Sequence, residues 1–500
     1  MPGSCTSVIN LNFQEGGEGS PSNPAKFNNQ DFKQLKDDLL RKGQQFEDPT
    51  FPHDKSSLGG SHGSEVTWLR PADIVKLPKQ NKAEAVFCTE GVTRFDFGQG
   101  SLSNCWFVAS ISSLTFHKAL MEQVVPMDQD LNNHAGIFHF RFWRFGKWVD
   151  VVIDDSLPVK DNRLLSVTDK KGNEFWAPLM EKAYAKVCGS YADMNFGWPS
   201  ESFKDLCGGV NIKYSISDEK KMWTILSNAS SCNAMICCTT YSGKEKKGAE
   251  PEDGSIQSNH AYTVTAVIEV ETIESSKVKL VRVINPYGKF EWNGKWSDES
   301  DMWKKVSEKD RENCKVDIDG EFWMELEDFC RNLKFLFICC ENPNFIDGDV
   351  NCQWQSLTHH GKCTNGKSAG DVLSNPSFGT NPQYRQKVNI IDASESKDIN
   401  IILSLMKNYG QVNRKEKKGT KIGIHVFKIP PGTAQGDLST EDIKKLTQLN
   451  GTNKDTRWGE LVETHSMEPG EYLIVPSIKV PDESADFVLT IFSKTNAKIN

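Results

Sequence analysis

The hydrophobic pattern of the first half of the chain predicts mostly helices. Residues 106–120 are apolar on nearly every side, which is typical of a buried helix. The segment 174–191 predicts a second helix. Between them, two apolar runs on either side of Gly146 predict a pair of strands joined by a turn. We therefore expect a largely helical region that extends to about residue 208.

A polar stretch and a short amphipathic helix precede this region. Residues 1–26 are rich in Gly, Ser, Pro and Asn, which indicates a mobile tail. In the segment 28–44, apolar residues recur at helical spacing. Asp31 stands at the N-cap position of that helix and Gly43 ends it.

The remainder of the chain changes to a strand pattern. Between residues 209 and 343, four runs are rich in β-branched and aromatic residues. From residue 344 onward, further strands are separated by Pro and Gly, which is typical of a β-sandwich. The pattern therefore predicts a helical lobe, a β lobe and a sandwich.

Composition and charge exclude several classes of protein. The chain has 500 residues, of which 37% are hydrophobic and 25% charged, and this length suits about three domains. A formal net charge of −8 argues against a general nucleic-acid binder. No apolar run approaches the ~20 residues of a membrane span, and the N-terminus lacks the features of a signal peptide. We expect a cytoplasmic protein without a disulfide framework or structural zinc, because the fourteen cysteines form no CxxC pairs at zinc spacing.

The stretch FGQGSLSNCWFVAS, residues 97–110, places a single cysteine where a helix begins. Ser103 or Asn104 is positioned to cap this helix, which leaves Cys105 in the first turn. Unpaired backbone N–H groups there favour an anion, so we expect the pKa of the thiol to lie below its ordinary value. The alternative is a buried cysteine that acts only as a small apolar side chain.

A histidine and an asparagine lie at the ends of two strands that the pattern predicts to pair. Antiparallel partners have a constant sum of residue numbers, and the sum of 545 for His260 and Asn285 places the turn at the start of a polar stretch. The two residues would then face each other, so that the amide accepts the imidazole N–H and directs the other ring nitrogen toward a thiol. The order Cys105, His260, Asn285, with intervals of 155 and 25 residues, is close to papain-type spacing.

The segment DIDGEFW carries three carboxylates at alternate positions, Asp317, Asp319 and Glu321. An extended backbone points all three to one side, and Ca²⁺ prefers such oxygen ligands. The segment is not an EF-hand, because it lacks the required glycine and the final glutamate of that loop. The alternative is a solvated strand face.

Several long motifs, in the same order, resemble the calpain family of calcium-activated cysteine proteases over roughly residues 27–495. The resemblance implies an α+β fold, in which a two-lobed papain-like cysteine protease core is followed by a C2-like antiparallel β-sandwich. Lobe 1 would span 27–208, lobe 2 209–343, and the sandwich 344–500. The motifs are GQGSLSNCWFVASISSLT, AGIFHFRFWRFGKWVDVVIDDSLP, GNEFWAPLMEKAYAKVCGSY, NHAYTVTAV, INPYGKFEWNGKWSD, DGEFWM, NPQYRQKV and PGEYLIVPS.

The resemblance also implies catalytic roles. Cys105 would be the nucleophile, His260 the general base and then acid, and Asn285 the residue that orients the imidazole. Gln99 falls where the family has its oxyanion-hole side chain, and the backbone N–H of Cys105 would be the second donor. The glycines on either side of Gln99 would let the backbone turn its amide toward the developing oxyanion.

Two Ca²⁺ ions are implied as cofactors, one in each lobe of the protease core. Ions that bind the closed arrangement of the lobes more tightly shift the population toward the active state. The implied ligands are, in the helical lobe, Thr89 and Gly91 through their carbonyls, Asp96 and Glu174, and, in the β lobe, Glu291, Asp298, Asp317 through its carbonyl, Asp319 and Glu321.

The sequence departs from the family pattern at three points. Tyr287 stands where calpains have Trp in the cleft between the lobes, and Asn104 replaces an Asp beside the thiol. The sequence contains no penta-EF-hand domain, through which conventional calpains dimerise, so we expect a monomer. In the sandwich the acidic loop 392–398 is weak, and the basic run 413–421 is either a solvated loop or a contact for anionic phospholipid.

These observations predict a calcium-dependent intracellular cysteine endopeptidase that performs limited proteolysis of protein substrates. A calcium-dependent transglutaminase is one alternative, although that class typically has Asp where this chain has Asn285. The other is a calcium- or phospholipid-responsive scaffold with an inactive protease core. The complete set of catalytic residues argues against the scaffold, and Tyr287 keeps it open.

Overall fold

The structure is a computed structural model of the chain. It divides into an N-terminal unit, residues 18–340, and a C-terminal unit, residues 341–500 together with 3–17. None of the helices in the described residues has the length and apolar character needed to cross a bilayer. The residues described are 8–10, 16–60, 65–78, 83–89, 97–132, 134–242, 256–288, 290–314, 320–368, 370, 372–390, 399–408, 414, 421–449, 460–478, 484–494 and 497–499.

The N-terminal unit contains a helical part and a β part. Its helices are α1 (Phe32–Lys42), α2 (Lys55–Leu58), α3 (Pro71–Ile74), α4 (Cys105–Leu114), α5 (Lys118–Val124), α6 (Trp176–Cys188), α7 (Pro199–Cys207), α8 (Glu219–Ser231), α9 (Glu308–Asn313) and α10 (Leu326–Asn332), with short 3₁₀ turns at Phe27–Asn29, Ala192–Met194 and Asp301–Lys305.

The strands are numbered along the whole chain, and β1 (Ile9–Asn10) belongs to the C-terminal unit. A six-stranded antiparallel sheet in the order β10-β15-β11-β12-β13-β14 forms the β part of the N-terminal unit. The strands of the N-terminal unit are β2 (Ala25–Lys26), β3 (Thr67–Leu69), β4 (Phe97–Gly98), β5 (Ile137–Arg144), β6 (Lys147–Asp154), β7 (Leu157–Lys160), β8 (Arg163–Leu164), β9 (Thr168–Asp169), β10 (Val210–Ser215), β11 (Met235–Thr240), β12 (Ala261–Glu271), β13 (Lys277–Ile284), β14 (Glu321–Glu325) and β15 (Leu333–Cys340).

Helix α4 lies in the core and joins the helical part to the sheet. All of its residues after Cys105 are buried. The Thr263 hydroxyl on β12 donates a 2.7 Å hydrogen bond to the Ala109 carbonyl, and the Ile236 N–H on β11 donates to Ser113 Oγ at 3.2 Å. These bonds hold the middle of α4 against β12 and its last turn against β11.

The prediction of one continuous helix over 106–120 is wrong. Helix α4 ends at Leu114, and α5 begins at Lys118. The Thr115 hydroxyl donates to the Ser112 carbonyl at 2.7 Å, and the His117 N–H donates to the Leu114 carbonyl. Carbonyls of the last turn are therefore satisfied locally, which ends the helix although the sequence stays apolar.

The predicted strand pair around Gly146 is confirmed as β5 and β6. Trp143 pairs with Trp148, and Phe145 and Gly146 form the turn with φ of 48° and 89°. Positive φ at both central residues is the geometry whose twist suits a two-residue hairpin.

The N-terminal segment has the predicted helix but differs from the predicted tail. Asp31 accepts a 2.9 Å hydrogen bond from the Gln34 N–H, and Gly43 ends α1 with φ of 61°. Within the predicted tail, residues 25–26 form β2, which pairs with β6. The Trp148 N–H also donates to the Gly19 carbonyl at 2.8 Å. Backbone pairing therefore fixes residues 19–26, whose composition alone predicted mobility.

The hairpin β12–β13 forms, but its register is not the predicted one. Glu271 pairs with Lys277 and Ala266 with Arg282, which gives a sum of 548. The register then shifts around Thr265, which faces no partner, and Thr263 pairs with Ile284. The predicted sum of 545 is wrong for two reasons. The turn lies further along the chain than predicted, and a bulge shifts the pairing by one residue. His260 and Asn285 nevertheless stay at the same end of the ribbon.

The C-terminal unit is a sandwich of two five-stranded sheets, in the orders β1-β16-β23-β18-β21 and β20-β19-β22-β17-β24. Its core includes Leu405 and Leu489 from the first sheet and Val426 and Ile474 from the second. The strands are β16 (Trp354–Cys363), β17 (Tyr384–Ile390), β18 (Ile401–Asn408), β19 (Ile422–Ile429), β20 (Thr447–Gln448), β21 (Glu460–His465), β22 (Gly470–Ile478), β23 (Ala485–Lys494) and β24 (Ala497–Ile499), with one helix, α11 (Thr440–Ile443), and 3₁₀ turns at Pro343–Ile346 and Phe378–Thr380.

Two predicted loops of the sandwich fall largely outside the described residues. The acidic loop 392–398 is not described at all, and of the basic run 413–421 only Arg414 and Lys421 are described. The Arg414 side chain is buried, so it does not offer its charge to a lipid surface.

The cysteines agree with the expected reduced state. Every cysteine in the described part of the chain has a free thiol, and the vicinal pairs 237–238 and 339–340 lie in β11 and β15.

Candidate active site

Cys105 is the first residue of α4, as predicted, but the predicted cap is wrong. Asn104 occupies the N-cap position, yet neither its side chain nor that of Ser103 accepts a hydrogen bond from the helix. The Asn104 amide instead donates to the carboxylate of Glu181 on α6. The hydrogen bond to the buried Glu181 carboxylate therefore takes the place of the predicted cap.

Glu181 is a buried carboxylate that the sequence reasoning missed. Its side chain is fully buried, and it accepts hydrogen bonds from the Asn104 amide and from the Val167 N–H at 2.7 Å. Burial raises the pKa of Glu181 to about 7. The sequence signal was a single glutamate within the apolar run APLMEKAYA, on a helix that is otherwise core. Glu181 therefore links Asn104, the residue before the nucleophile, to Val167, which directly precedes β9.

The pKa of the Cys105 thiol does not fall as predicted. Burial raises this pKa above its ordinary value, and the backbone N–H groups of Ala261, Trp106 and Cys105 itself act in the opposite direction. The loss of water around the sulfur outweighs the favourable end of the helix. The interaction with Ala261 also shows that the sulfur lies next to the residue that follows His260.

His260 and Asn285 form the predicted pair. The imidazole Nε2 and the Asn285 Oδ1 are 3.0 Å apart, and both side chains are buried. Asn285 is held in place in turn, because its Nδ2 donates to the Phe290 carbonyl and its Oδ1 accepts from the Tyr287 N–H, each at 3.1 Å. Since Oδ1 can only accept, Nε2 carries the proton and Nδ1 is left as the acceptor.

Tyr287 covers one face of the imidazole. Its ring is parallel to that of His260, with centroids 4.9 Å apart and an interplanar angle of 4°. The Tyr262 ring meets the imidazole edge-on at 5.0 Å. Burial lowers the pKa of His260 to about 4, although the hydrogen bond to Asn285 works against this shift. The imidazole is therefore neutral at physiological pH in this arrangement.

The two halves of the site touch, but thiol and imidazole are not hydrogen-bonded to each other in the described structure. The Gln99 N–H donates to the Pro286 carbonyl at 2.8 Å, which joins the loop before α4 to the loop that follows Asn285. The bond from Thr263 to Ala109 joins the halves a second time. The arrangement therefore has the parts of a thiol–imidazole site, with both groups in their neutral forms.

Gln99 lies beside the nucleophile with its amide turned toward its own loop. Its Nε2 donates to the Leu102 carbonyl at 2.6 Å, which leaves the second N–H of the amide available. Its Oε1 is buried and has no hydrogen-bond partner among the described residues.

The glycines that flank Gln99 do not act through unusual backbone angles. Neither Gly98 nor Gly100 has a positive φ. A Cβ at Gly100 would overlap the carbonyl oxygen of Ser166, whereas a Cβ at Gly98 would lie at an ordinary 3.5 Å from the Tyr287 carbonyl oxygen. Close approach of two backbones, at Gly100 only, therefore replaces the predicted conformational freedom as the reason for glycine.

A cavity of about 1,100 Å³ lies next to Gln99. Its lining includes Gln99, Gly100, Leu165, Asp169 and Glu174. The predicted oxyanion residue and a predicted calcium ligand therefore line the same cavity.

The described part of the predicted calcium site in the helical lobe has carboxylate oxygens of the kind that Ca²⁺ prefers. Glu174 is buried, and its carboxylate accepts from the Thr89 N–H at 2.8 Å. Asp169, which the prediction did not include, accepts from the Glu174 N–H, and its other carboxylate oxygen is buried without a hydrogen-bond partner in the described residues. Gly91 and Asp96 lie outside those residues.

The described part of the predicted calcium site in the β lobe also has carboxylate side chains. Glu291 accepts from the Gly320 N–H at 2.6 Å, which brings it to the residue before Glu321. Glu321 is buried and forms a 3.4 Å ion pair with Arg282, and both carboxylate oxygens of Asp298 are buried.

The other two residues predicted for this site, Asp317 and Asp319, lie outside the described chain. No group of three or more His, Cys, Asp or Glu side chains stands ready for a metal within the described residues. Carboxylate and carbonyl oxygens are the ligands that Ca²⁺ prefers, and both calcium sites stay predictions.

Comparisons with known proteins agree with this geometry. A family model described as "Calpain family cysteine protease" matches residues 46–340, and one described as "Calpain large subunit, domain III" matches 359–492. The chain is 34% identical to human calpain-8 over 96% of its length and 70% of the relative. It is 34% identical to the mouse calpain-1 catalytic subunit, covering 97% of this chain and 69% of that protein. The bovine calpain-2 catalytic subunit is likewise 34% identical, with 96% and 70% covered.

These matches confirm the predicted α+β fold, with a papain-like core followed by a β-sandwich. They also confirm that the chain is a cysteine endopeptidase by family. The chain belongs to the calpain family of cysteine proteases.

Proposed function

We propose that this protein is a calcium-dependent cysteine endopeptidase that cuts protein substrates with Cys105 as nucleophile, His260 as base and acid, and Asn285 as the orienting residue. The observation that carries the proposal is the 3.0 Å hydrogen bond between His260 Nε2 and Asn285 Oδ1. It leaves Nδ1 as a proton acceptor at the end of the ribbon, next to the residue, Ala261, that interacts with the Cys105 sulfur.

In this mechanism the thiol proton moves to Nδ1 of His260 as the sulfur attacks the carbonyl carbon of the scissile peptide. The peptide C–N bond then breaks, and the leaving amine takes the proton from Nδ1. Water attacks the thioester with the imidazole again as base, and the acid product and free thiol are released. The hydrogen bond to Asn285 keeps the ring in the orientation that both proton transfers need.

Gln99 and the backbone N–H of Cys105 would stabilise the oxyanion. The Gln99 amide has one N–H engaged with the Leu102 carbonyl, and the other remains for the substrate oxygen. Removal of one such donor typically lowers the rate ~10²–10³-fold.

Calcium dependence is a property of the family, and we propose that two Ca²⁺ ions act through the segments next to the catalytic groups. Bound Ca²⁺ would supply positive charge that holds carboxylates from separate segments together. In the helical lobe, Asp96 directly precedes β4, which leads to Gln99, and β4 pairs with β9 at Asp169. Thr89, Gly91, Asp96 and Glu174 would therefore fix the oxyanion loop.

In the β lobe, the second ion would be held by residues that come after the loop that follows Asn285. Glu291 already contacts the segment that carries Glu321. The full set proposed here is Glu291, Asp298, Asp317, Asp319 and Glu321.

Three further expectations stay proposals. The lobe boundaries 27–208 and 209–343 and the sandwich 344–500 are the proposed domains. The proposed location is the cytoplasm, and contact with anionic phospholipid through the sandwich stays a prediction that Arg414, being buried, does not support.

The test is cleavage of casein, titrated with Ca²⁺, by the wild type and by Cys105→Ala. We expect calcium-stimulated cleavage that falls below one part in ~10³ in the variant. Cys330→Ala is the control, since this thiol is also only half-buried and its raised pKa of about 12 keeps it protonated. Unchanged cleavage by Cys105→Ala would refute the assignment. Amine incorporation into a glutamine substrate without cleavage would favour the transglutaminase.

A further inference from the structure

Glu181 is a carboxylate in a place where burial alone disfavours one. It lies on α6, its side chain is fully buried, and it forms no ion pair with any residue that the structure describes. A buried carboxylate without an opposite charge loses its hydration, and hydrogen bonds must offset that loss. The two hydrogen bonds that it accepts therefore indicate what the carboxylate does.

The two oxygens of this carboxylate hold two separate segments of the site. One oxygen accepts from the amide of Asn104, the N-cap residue of α4, and the other accepts from the Val167 N–H at 2.7 Å. Asn104 directly precedes Cys105, and Val167 directly precedes β9, which pairs with β4 just before Gln99. One side chain therefore joins the start of the nucleophile helix to the strand pair that leads to Gln99.

Residues 165–167 also support the oxyanion loop, residues 98–101. The Ser101 N–H and the Ser101 hydroxyl each donate to the Leu165 carbonyl at 3.1 Å. A displacement of Val167 would therefore be passed directly to the oxyanion loop.

Protonation of Glu181 removes one of its two acceptors. The ionised carboxylate has two acceptor oxygens, whereas the neutral acid has one good acceptor and an O–H donor. Both groups that face it, the Asn104 amide and the Val167 N–H, are donors, so only the ionised form makes both hydrogen bonds well. Burial raises the pKa of Glu181 to about 7, although these two bonds act in the opposite direction. Both forms are therefore populated near neutral pH.

Other titratable groups lie on the elements around α6. Burial raises the pKa of Tyr191, which follows α6, well above its ordinary value, and Glu181 adds to this shift. Burial opposes the ionisation of Asp154 on β6, but an ion pair and hydrogen bonds lower its pKa on balance. Burial raises the pKa of Cys105 on α4, and Asp169 on β9 is hydrogen-bonded within its own loop. Glu181 therefore differs from Tyr191, Asp154 and Cys105 in changing its charge near neutral pH.

We propose that Glu181 is a positioning residue of the proposed active site and that its proton acts as a switch. The ionised carboxylate holds Asn104 and Val167, and through them the first turn of α4 and the oxyanion loop, in the arrangement that cleavage needs. The neutral acid releases one of the two segments. The proposal rests on the proposed function, since it takes Cys105 as the nucleophile and Gln99 as the oxyanion residue.

The first experiment compares kcat/KM of the wild type and Glu181→Gln for fluorescently labelled casein, at saturating Ca²⁺, from pH ~6 to pH ~8.5. Glutamine has one acceptor and one donor group, so it reproduces the hydrogen bonding of the neutral acid at every pH. We expect the ratio of wild type to variant to rise from about two to about ten, with its midpoint near pH 7. Division by the variant removes the titrations of Cys105 and His260, which both proteins share.

A ratio that stays constant, or that falls as the pH rises, overturns the proposal. Ionisation of the buried carboxylate lowers the free energy of unfolding, so partial unfolding of the wild type would make the ratio fall. Near-UV circular dichroism checks that both proteins are folded at each pH. The control is Glu122→Gln, the same substitution at an exposed glutamate on α5, which should match the wild type at every pH.

Asn104→Ala tests the assignment without changing the carboxylate. The hydrogen bond from Asn104 lowers the pKa of Glu181, so its loss should move the midpoint of the kcat/KM profile to higher pH by about one unit. A midpoint at or below the wild-type value would show that Glu181 is not the titrating group.

Alkylation of the Cys105 thiol by iodoacetamide separates this proposal from the proposed function. The sulfur forms a bond to the methylene carbon, iodide leaves and the thiol proton passes to the buffer, so no peptide is cleaved; mass spectrometry gives the rate at Cys105. The ratio of wild type to Glu181→Gln should again rise with a midpoint near pH 7. If it rises while neither protein cleaves casein, the proteolytic function fails and the positioning role stands. If casein is cleaved and both ratios are constant, the proteolytic function stands and the positioning role fails.

Discussion

The nucleophile and the base of this site are held in different ways. Cys105 begins a helix whose other residues are all buried, and its neighbour Asn104 is tied to the buried Glu181. His260 lies at the end of a two-stranded ribbon, where one hydrogen bond to Asn285 and the stacked Tyr287 ring fix it. Substitutions on the nucleophile side should therefore lower both the free energy of unfolding and the catalytic rate. Substitutions on the base side should change the properties of the imidazole and leave the free energy of unfolding nearly unchanged.

Both sides nevertheless share one electrostatic consequence of burial. Loss of water raises the pKa of the Cys105 thiol and lowers the pKa of the His260 imidazole to about 4. Each shift favours the neutral form, so the described arrangement disfavours a thiolate–imidazolium pair. A change that brings water or favourable charge to the two groups would favour that pair, and the proposed calcium ions would act on the loops beside them.

The largest expected effect is on the nucleophile side, where two glycine variants are compared. In Gly100→Ala the new Cβ overlaps the Ser166 carbonyl oxygen, so the backbone must move. We expect a loss of about 2–4 kcal/mol in the free energy of unfolding and at least a tenfold loss of kcat/KM. Gly98→Ala, whose Cβ fits at 3.5 Å from the nearest oxygen, should change stability by less than about 1 kcal/mol. Urea unfolding and casein cleavage measure both, and equal effects would contradict the close-approach explanation.

The buried carboxylate on the same side predicts a pH dependence of stability. The pKa of Glu181 is raised from 4.5 to about 7 in the folded chain. The folded state therefore holds its proton more tightly, and the contribution of Glu181 is fully present below pH 4.5 and is lost as the pH rises through 7. The stability difference between wild type and Glu181→Gln should fall by roughly 3 kcal/mol between pH 4.5 and 7.

Urea unfolding followed by tryptophan fluorescence at a series of pH values measures this difference. Glu122→Gln on α5 is the matched control, because it makes the same substitution at an exposed glutamate. A flat difference for Glu181→Gln would mean that the carboxylate is solvated in the folded protein.

The smallest effect belongs to the base side. Tyr287→Ala uncovers one face of the imidazole, and the added water should raise the pKa of His260 from about 4 toward its ordinary 6.5. Tyr287→Phe keeps the stacked ring and should leave the pKa unchanged. Histidine C–H resonances, followed by NMR in Cys105→Ala with His260→Ala for assignment, report both values. We expect unfolding free energies within about 1 kcal/mol of the wild type for both variants. An unchanged pKa of His260 in Tyr287→Ala would show that the Tyr287 ring does not shield the imidazole from water.

Short-range signals in the sequence determined much of this protein. The Asp31 cap and Gly43 end of α1 were predicted because each acts within a few residues of its own position. The strand pair around Gly146, the position of Cys105 at a helix start and the place of His260 and Asn285 at one ribbon end followed from local patterns in the same way.

Tertiary structure alone decided the features that bring distant segments together. The register of β12 and β13 depends on a bulge at Thr265, and Asn104 pairs with a glutamate 77 positions away instead of capping its own helix. The need for glycine at position 100 arises from the Ser166 backbone. In each case the deciding partner is remote in sequence, and the free energy that selects it, from burial and steric contact, exists only once the core has formed.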